Sequence, residues 1–211
     1  MSGKDDSTNR KAFPMLIVEN LPIRDLIGPM SDDELYNFCM ANAELRIERD
    51  SEHNIIIMSP VGGGSGLQEL EILRQVGNWA KQDGSGISFS SSTGFILPDG
   101  AMRSPDASWL KREKWNQLTE KEKLHFLPSV PDFVVELCSR TDRLPALQSK
   151  CTEWIENGVQ LLWLIDPQSE TSWIYRADGS QEQISGFKHV LSGEAVLAGF
   201  QFDLANLYLP K

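Results

Sequence analysis

No apolar stretch in this chain approaches the roughly 18 residues needed to span a bilayer, and the polar start Met1 to Arg10 lacks the apolar centre of a signal peptide. A cytoplasmic protein with no membrane partner is the expectation. Cysteine is scarce: Cys39, Cys138 and Cys151 stand alone, without CxxC spacing. That argues against both a disulfide scaffold and a zinc site. The three histidines, His53, His125 and His189, form no HxxxH or HExxH pattern. A His-ligated transition metal is therefore disfavoured, and no Ser/Cys–His hydrolase triad suggests itself. A hard ion held by oxygen ligands, such as magnesium, stays open. Positive charge is short as well, with 20 Lys and Arg against 30 Asp and Glu and a net charge of -10. That is unlike a strong DNA-binding footprint.

The deficit is uneven. Residues 1–60 and 153–211 each carry a charge of -5, whereas 61–152 hold eleven residues of each sign. Arg103, Lys111, Arg112, Lys114, Lys121, Lys123, Arg140 and Arg143 fall in that neutral middle and could supply a local positive rim. With 211 residues and 40% hydrophobic content, one globular domain is expected over 14–211, behind a tail at 1–13.

Hydrophobic pattern and turn chemistry give the elements. Ser31-Asp32-Asp33-Glu34 is a capping box that starts a helix to about Ala43. Leu45 to Arg49 alternates as a half-buried strand, and Asn54 to Met58 reads as a strand buried on both faces, the two forming a hairpin. The loop Val61-Gly62-Gly63-Gly64-Ser65-Gly66 fits neither the Walker-type phosphate loop nor GxGxxG. Ser65 with Gln68 then caps a helix to about Lys81. Gly86 to Leu97 holds one or two strands, Pro98-Asp99-Gly100 a turn, and Asp106 to Leu110 a short strand. Lys111 to Phe126 is a charged helical excursion on the surface. Phe133 to Cys138 is a strand, Leu144 to Asn157 a helix closed by Gly158, and Leu161 to Ile165 and Ser172 to Arg176 are strands. Gly199 to Tyr208 is weakly structured. The sum is an α/β (α+β) domain with a mixed central sheet and helices on both faces.

Within that frame, ionisable residues stand in apolar settings. Asp106 follows Pro105 and opens an apolar run, Glu136 sits in Phe133-Val134-Val135-Glu136-Leu137, and Lys150 lies at the margin of the apolar face Leu144, Leu147, Cys151, Trp154 and Ile155. Charges are rarely kept in such places unless paired or metal-bound. Asp132 is separated from Glu136 by about 13 Å of strand, too far to share an ion. Asp106, on a neighbouring strand, can converge with Glu136 on one cation. Two carboxylates and a lysine suffice for metal-assisted phosphodiester cleavage. The alternatives are a loop-ending aspartate, a paired core glutamate, and a lysine with its head in water. No lysine stands two positions after Glu136, where Cys138 is found. Glu69 is framed by Leu70, Leu73, Val76 and Ala80 and is expected to point inward, or else to gain from the helix dipole. Glu48 is a weaker candidate.

Several segments taken in order, Leu45-Arg46-Ile47-Glu48-Arg49, Ile56-Ile57-Met58-Ser59-Pro60, Ser91-Ser92-Thr93-Gly94-Phe95, Arg103-Ser104-Pro105-Asp106-Ala107-Ser108-Trp109, Pro131-Asp132-Phe133-Val134-Val135-Glu136-Leu137 and Asn157-Gly158-Val159 with Trp163-Leu164-Ile165-Asp166-Pro167, resemble the Uma family of putative restriction endonucleases. That family is abundant in cyanobacteria and belongs to the PD-(D/E)xK nuclease superfamily. The resemblance runs from about Ser31 to the C-terminus. It implies a restriction-endonuclease-like core, a Mg2+ or Mn2+ ion held by Asp106 and Glu136, and a migrated lysine, Lys150. Glu48 matches the glutamate of the family's early Arg-x-Glu strand, and Glu69 occupies the helix where the superfamily often supplies another acid. One departure is clear: where relatives tend to read Glu-Thr-Gly-x-Arg-Asn, this chain has Gly64-Ser65-Gly66-Leu67-Gln68-Glu69.

The function so implied is metal-dependent hydrolysis of nucleic acid, DNA by preference. The competing expectations are a catalytically silent interaction or nucleic-acid-binding module on the same fold, and an enzyme acting on a small phosphorylated molecule. Six tryptophans and an apolar C-terminal region offer material for a homodimer interface.

Overall fold

Three apolar runs, Phe133–Leu137, Leu161–Asp166 and Thr171–Arg176, organise the domain because each must bury both of its faces. In the computed structural model, which describes residues 28–210, they form the centre of a six-stranded sheet. The expected tail at 1–13 and the expected domain start at residue 14 lie outside the described residues.

The elements in chain order are α1 (Asp32–Ala41), β1 (Arg46–Arg49), β2 (Ile55–Met58), α2 (Gly63–Asp83), β3 (Gly86–Phe89), β4 (Phe95–Ile96), β5 (Met102–Arg103) and β6 (Ala107–Lys111). Then come α3 (Arg112–Gln117), α4 (Glu120–Lys123), β7 (Phe133–Leu137), α5 (Leu144–Glu156), β8 (Leu161–Asp166), β9 (Thr171–Arg176), β10 (Gln181–Ser185), β11 (Val190–Ser192) and β12 (Gln201–Asp203), with a final 3-10 turn at Leu204–Leu207. The large sheet runs β10-β9-β8-β7-β6-β3, a second runs β2-β1-β5-β4, and β11 pairs with β12. Only β7 and β8 are parallel among the named pairs, with α5 as their crossover. The sheet is mixed, as expected.

Side-chain alternation along β7 divides the core. Phe133, Val135 and Leu137 face α2, whose Ile72, Val76 and Ala80 cover them with Trp109 and Trp163. Val134 faces the other way, towards Trp154 and Cys151 of α5. Glu136, two residues on, shares that second face. A third cluster, with Leu35, Ile47, Ile55 and Met102, ties α1 to the smaller sheet. Arg49, 1% exposed, fixes the contact by donating to the Met30 and Gly100 carbonyls and to Asp32. The tryptophans are spent on these cores: Trp109, Trp154 and Trp163 are fully buried and Trp79, Trp115 and Trp173 pack against them. They therefore lend no support to a homodimer interface.

The Ser31 capping box forms as expected, as does the β1–β2 hairpin. Two expectations need correction. β2 is an edge strand on which only Ile55 is fully buried. The glycine loop is shorter than expected: α2 starts at Gly63, its N-cap Gly62 contributes no side-chain bond, and Ser65 lies inside the helix. Tertiary contact drives this extension, since Gln68 Nε2 donates to the Leu207 carbonyl at 2.8 Å and Gly64 meets Leu209. Gly86 to Leu97 gives two strands, within the expected one or two, and they enter different sheets.

Gly86 is required for a local reason. A Cβ there would stand 2.3 Å from the Trp109 ring, which lies across the strand and is itself packed edge-on against Trp79. Gly86→Ala is expected to lower stability by about 1–3 kcal/mol through overpacking, read as an unchanged m-value and a lower urea midpoint.

Candidate functional site

Strand register brings Asp106 and Glu136 together. β6 and β7 are antiparallel, with Ala107 opposite Val135 and Ser108 opposite Val134. One more step places Asp106 opposite Glu136, on the same face, where paired Cα atoms lie about 4.5–5.5 Å apart. Pro105 ends the strand, and the ladder is continued by a side chain: the Leu137 N–H donates to Asp106 Oδ2 at 2.7 Å. Asp132, at the other end of β7, is tied to Lys114 and to the Lys111 N–H. It takes no part in the site, as its spacing required.

Lys150 does not hold its head in water. Its Nζ lies 3.0 Å from Glu136 Oε1 and 3.0 Å from Glu48 Oε1, and its side chain is 14% exposed. Glu136 Oε1 also accepts from Trp154 Nε1 at 2.8 Å. Glu48 is completed by the Ser104 N–H and by Arg103 Nη1. Arg103 in turn makes a two-pronged contact with Glu153. The result is a buried chain of alternating charge, Glu153–Arg103–Glu48–Lys150–Glu136, closed at its end by the indole of Trp154.

The electrostatics follow from this wiring. Burial works against ionised Glu48, but Lys150, Arg103 and the Ser104 N–H outweigh it and hold its carboxyl below the usual range. Burial raises Glu136, and Lys150 only partly offsets it because Glu48 stands near. Asp106 is pushed up to about 7, first by burial and then by the charge of Glu136. Lys150 is desolvated yet held above its ordinary value by Glu136 and Glu48. Burial pushes the Cys138 thiol up to about 11 and raises Cys151 as well, so neither is a thiolate nucleophile near neutral pH.

Asp106, Glu136, Glu69 and Lys150 line one cavity of about 710 Å3, which Arg46 and Ser104 also border. Glu48 opens instead on a second cavity, about 760 Å3, on the other side of Lys150. Glu69 is half-buried and borders the first cavity, but its frame differs from expectation. Leu70 is 60% exposed, and the buried face of α2 is Ile72, Val76 and Ala80.

Sequence reasoning did not single out Arg46, Arg103, Glu153 or Trp154 for the site. Helical spacing carried a signal for two: Glu153 and Trp154 stand three and four residues after Lys150, on its face. Strand spacing carried another, since Arg46 and Glu48 are two apart on β1 and face one way. Of the expected positive rim, two members stand near the site: Arg140 is exposed between the lining residues Ser139 and Thr141, and Arg143 lines the adjoining cavity. Arg103 is buried within the network, and Lys111, Arg112 and Lys114 follow the far end of β6, about 17 Å of strand from Asp106.

Among the described residues no group of three His, Cys, Asp or Glu side chains gathers at metal-binding spacing. The donor set nevertheless suits a hard divalent ion. Asp106 and Glu136 are facing carboxylates, and Asp106 Oδ1 stands 3.6 Å from Arg46. Magnesium is commonly held by one or two carboxylates and otherwise by water. No helix among the described residues is long and apolar enough to cross a membrane.

Comparison with solved structures matches the fold to a protein from Anabaena variabilis ATCC 29413 described as a putative nuclease belonging to DUF820. The TM-score is 0.67 at 18% identity, covering 85% of this chain and 97% of that one. A DrdV–DNA complex aligns at a TM-score of 0.36 and 10% identity, over 55% of this chain and 10% of that one. No curated protein matches. The sequence itself matches the Uma2 family, described as putative restriction endonuclease, over residues 32–205, and the chain belongs to that family.

Proposed function

We propose that this protein is a metal-dependent nuclease that hydrolyses phosphodiester bonds of nucleic acid, with Asp106 and Glu136 holding Mg2+ or Mn2+ and Lys150 acting beside them. The observation that carries the reading is a pair of carboxylates, Glu136 buried and Asp106 half-buried, set opposite each other in register, with an ammonium 3.0 Å from Glu136. An ion held there would polarise the scissile phosphate and lower the pKa of a bound water. The other roles belong to the chain. Lys150 presents a fixed positive charge to the oxygen on which negative charge develops. Trp154 orients Glu136, and Glu48 with Arg103 holds the Lys150 amine in place. Both Glu48 oxygens are already engaged, so its part is to position Lys150. Glu69, on the cavity wall, is available to orient a water.

The test is hydrolysis of single-stranded and plasmid DNA with and without Mg2+ or Mn2+. Activity that needs the metal and is lost in Glu136→Gln supports the reading. Equal activity in wild type and Glu136→Gln rejects it. A pH dependence is also expected. Because Asp106 is held up near 7, it is mostly protonated at pH 6 and must lose that proton to bind a cation. At subsaturating metal, kcat/KM should fall about tenfold per pH unit below 7 and level off above it.

A second reading, a catalytically silent module, is favoured by the closed network itself, since Glu136 is already satisfied by Lys150 and Trp154. Such a module would show neither calorimetric heat nor a rise in Tm with Mg2+ or Mn2+.

A further inference from the structure

We propose that the substrate is a short oligonucleotide engaged through the scissile phosphate and one or two neighbours, rather than a long duplex gripped along a basic surface. This rests on the nuclease reading above and narrows its substrate class.

The charges around the site carry the argument. The cavity that holds Asp106 and Glu136 is lined by four carboxylates and two cations, Arg46 and Lys150. Its lining is thus two charges negative, and one divalent ion brings it to zero. Within the lining nothing remains to draw in a run of phosphates; at its rim, Arg140, exposed between Ser139 and Thr141, can meet about one. Lys150 is committed to two glutamates. Arg46 is the less committed cation: Nη2 donates to the Ser91 carbonyl at 2.8 Å, Asp106 stands 3.6 Å away, and Nε has no hydrogen-bond partner. It has capacity for one further phosphate.

Beyond the cavity the balance worsens for a polyanion. The adjoining cavity across Lys150 is lined by seven carboxylates and three cations. Residues 28–210 carry 26 acidic and 15 basic side chains, and residues 1–27 carry four of each, so the segment ahead of the described residues adds no net charge. At least nine of the fifteen cations are held in ion pairs with carboxylates. Lys111, Arg112 and Lys114 are at the distant end of β6. Beyond the contacts that Arg46 and Arg140 can offer, each phosphate added to the substrate therefore meets repulsion rather than a new contact.

The test is a length series: a tetranucleotide, a single-stranded 20-mer, a 20-base-pair duplex and a plasmid, assayed with Mn2+ at several salt concentrations. Salt dependence counts the phosphates neutralised, with a log–log slope of about -0.7 per contact on single strands and about -0.9 on duplex. The expected result is a kcat/KM per phosphodiester that changes less than about threefold from tetranucleotide to 20-mer, a slope no steeper than about -1.5, and loss of about 0.7 from that slope in Arg46→Met. Faster cleavage of plasmid than of tetranucleotide, with a slope of about -4 or steeper, overturns the inference and leaves the nuclease reading standing. No metal-dependent hydrolysis anywhere in the series overturns both.

Discussion

Lys150→Met is expected to cost about 3–5 kcal/mol of stability at pH 8, because it leaves two buried glutamates without the cation they share. Glu48 and Glu136 are 2% and 3% exposed, and both lie 3.0 Å from the same ammonium. Glu48 keeps Arg103 and the Ser104 N–H. Glu136 keeps only the Trp154 indole. Its carboxyl is already raised by burial, so it takes up a proton in the variant. The sign of the pH effect follows: a carboxyl raised further in the folded state gives stability below its unfolded value that is lost as pH rises. The deficit of Lys150→Met should therefore be smaller at pH 5 than at pH 8. Adding Glu136→Gln should recover part of it at pH 8, and urea melts of wild type, single and double variants measure both effects. If the single variant is as stable as wild type at pH 8, the network is not held by Lys150. In the hydrolysis assay the single variant should lose at least about a hundredfold in kcat, the scale of removing one electrostatic contact to a developing charge.

The parts of this fold written in local pattern were legible. The Ser31 capping box, the Asp99-Gly100 turn, the buried runs at 133–137 and 161–166 and the helix between them were all read from spacing and turn chemistry. What escaped was imposed from outside the segment. β10, Gln181–Ser185, has no apolar alternation and is a strand because β9 templates it across the Asp178-Gly179 turn. β5 is two residues long and exists through its pairings with β1 and β4. The start of α2 is set by contacts to Leu207 and Leu209, some 140 residues away.

The site divides the same way. That Asp106 and Glu136 converge was legible because strand spacing limits where two carboxylates on neighbouring strands can point. That Lys150 turns inward was ambiguous, because a margin position on a helix suits a buried head and a hydrated one equally. The answer depended on Glu48, a residue of the other sheet, about a hundred positions earlier in the chain. Arg103 carries the same lesson. Counted as a surface cation, it is 8% exposed and joins Glu48 to Glu153. Charge counting along the chain finds cations but not their partners, so it overestimates the positive surface open to a substrate.

Asp106→Asn should separate function from stability. Asparagine can keep the bond from the Leu137 N–H, which needs only an acceptor oxygen. What it removes is a negative charge facing Glu136 in a buried setting, the causes that lift Asp106 from 3.8 to about 7. A carboxyl raised on folding favours the folded state fully below its unfolded value, and that benefit is lost as pH rises through the folded value. Relative to wild type, the variant should thus gain nothing below about pH 4, gain progressively between 4 and 7, and be more stable by about 1–3 kcal/mol above 7. The full shift would give about 4 kcal/mol, and the nearby Arg46, which loses its counter-ion, reduces it. The same change takes away one of two anionic oxygen donors for a hard cation, so the Tm rise with Mn2+ should vanish and metal-dependent hydrolysis should fall by at least about a thousandfold, the order of a lost metal contact to the transition state. A variant that is more stable, blind to metal and inactive is the signature of a carboxylate kept for chemistry at the expense of the fold. A variant that is less stable than wild type at pH 8, with hydrolysis unchanged, would place Asp106 among the structural residues instead.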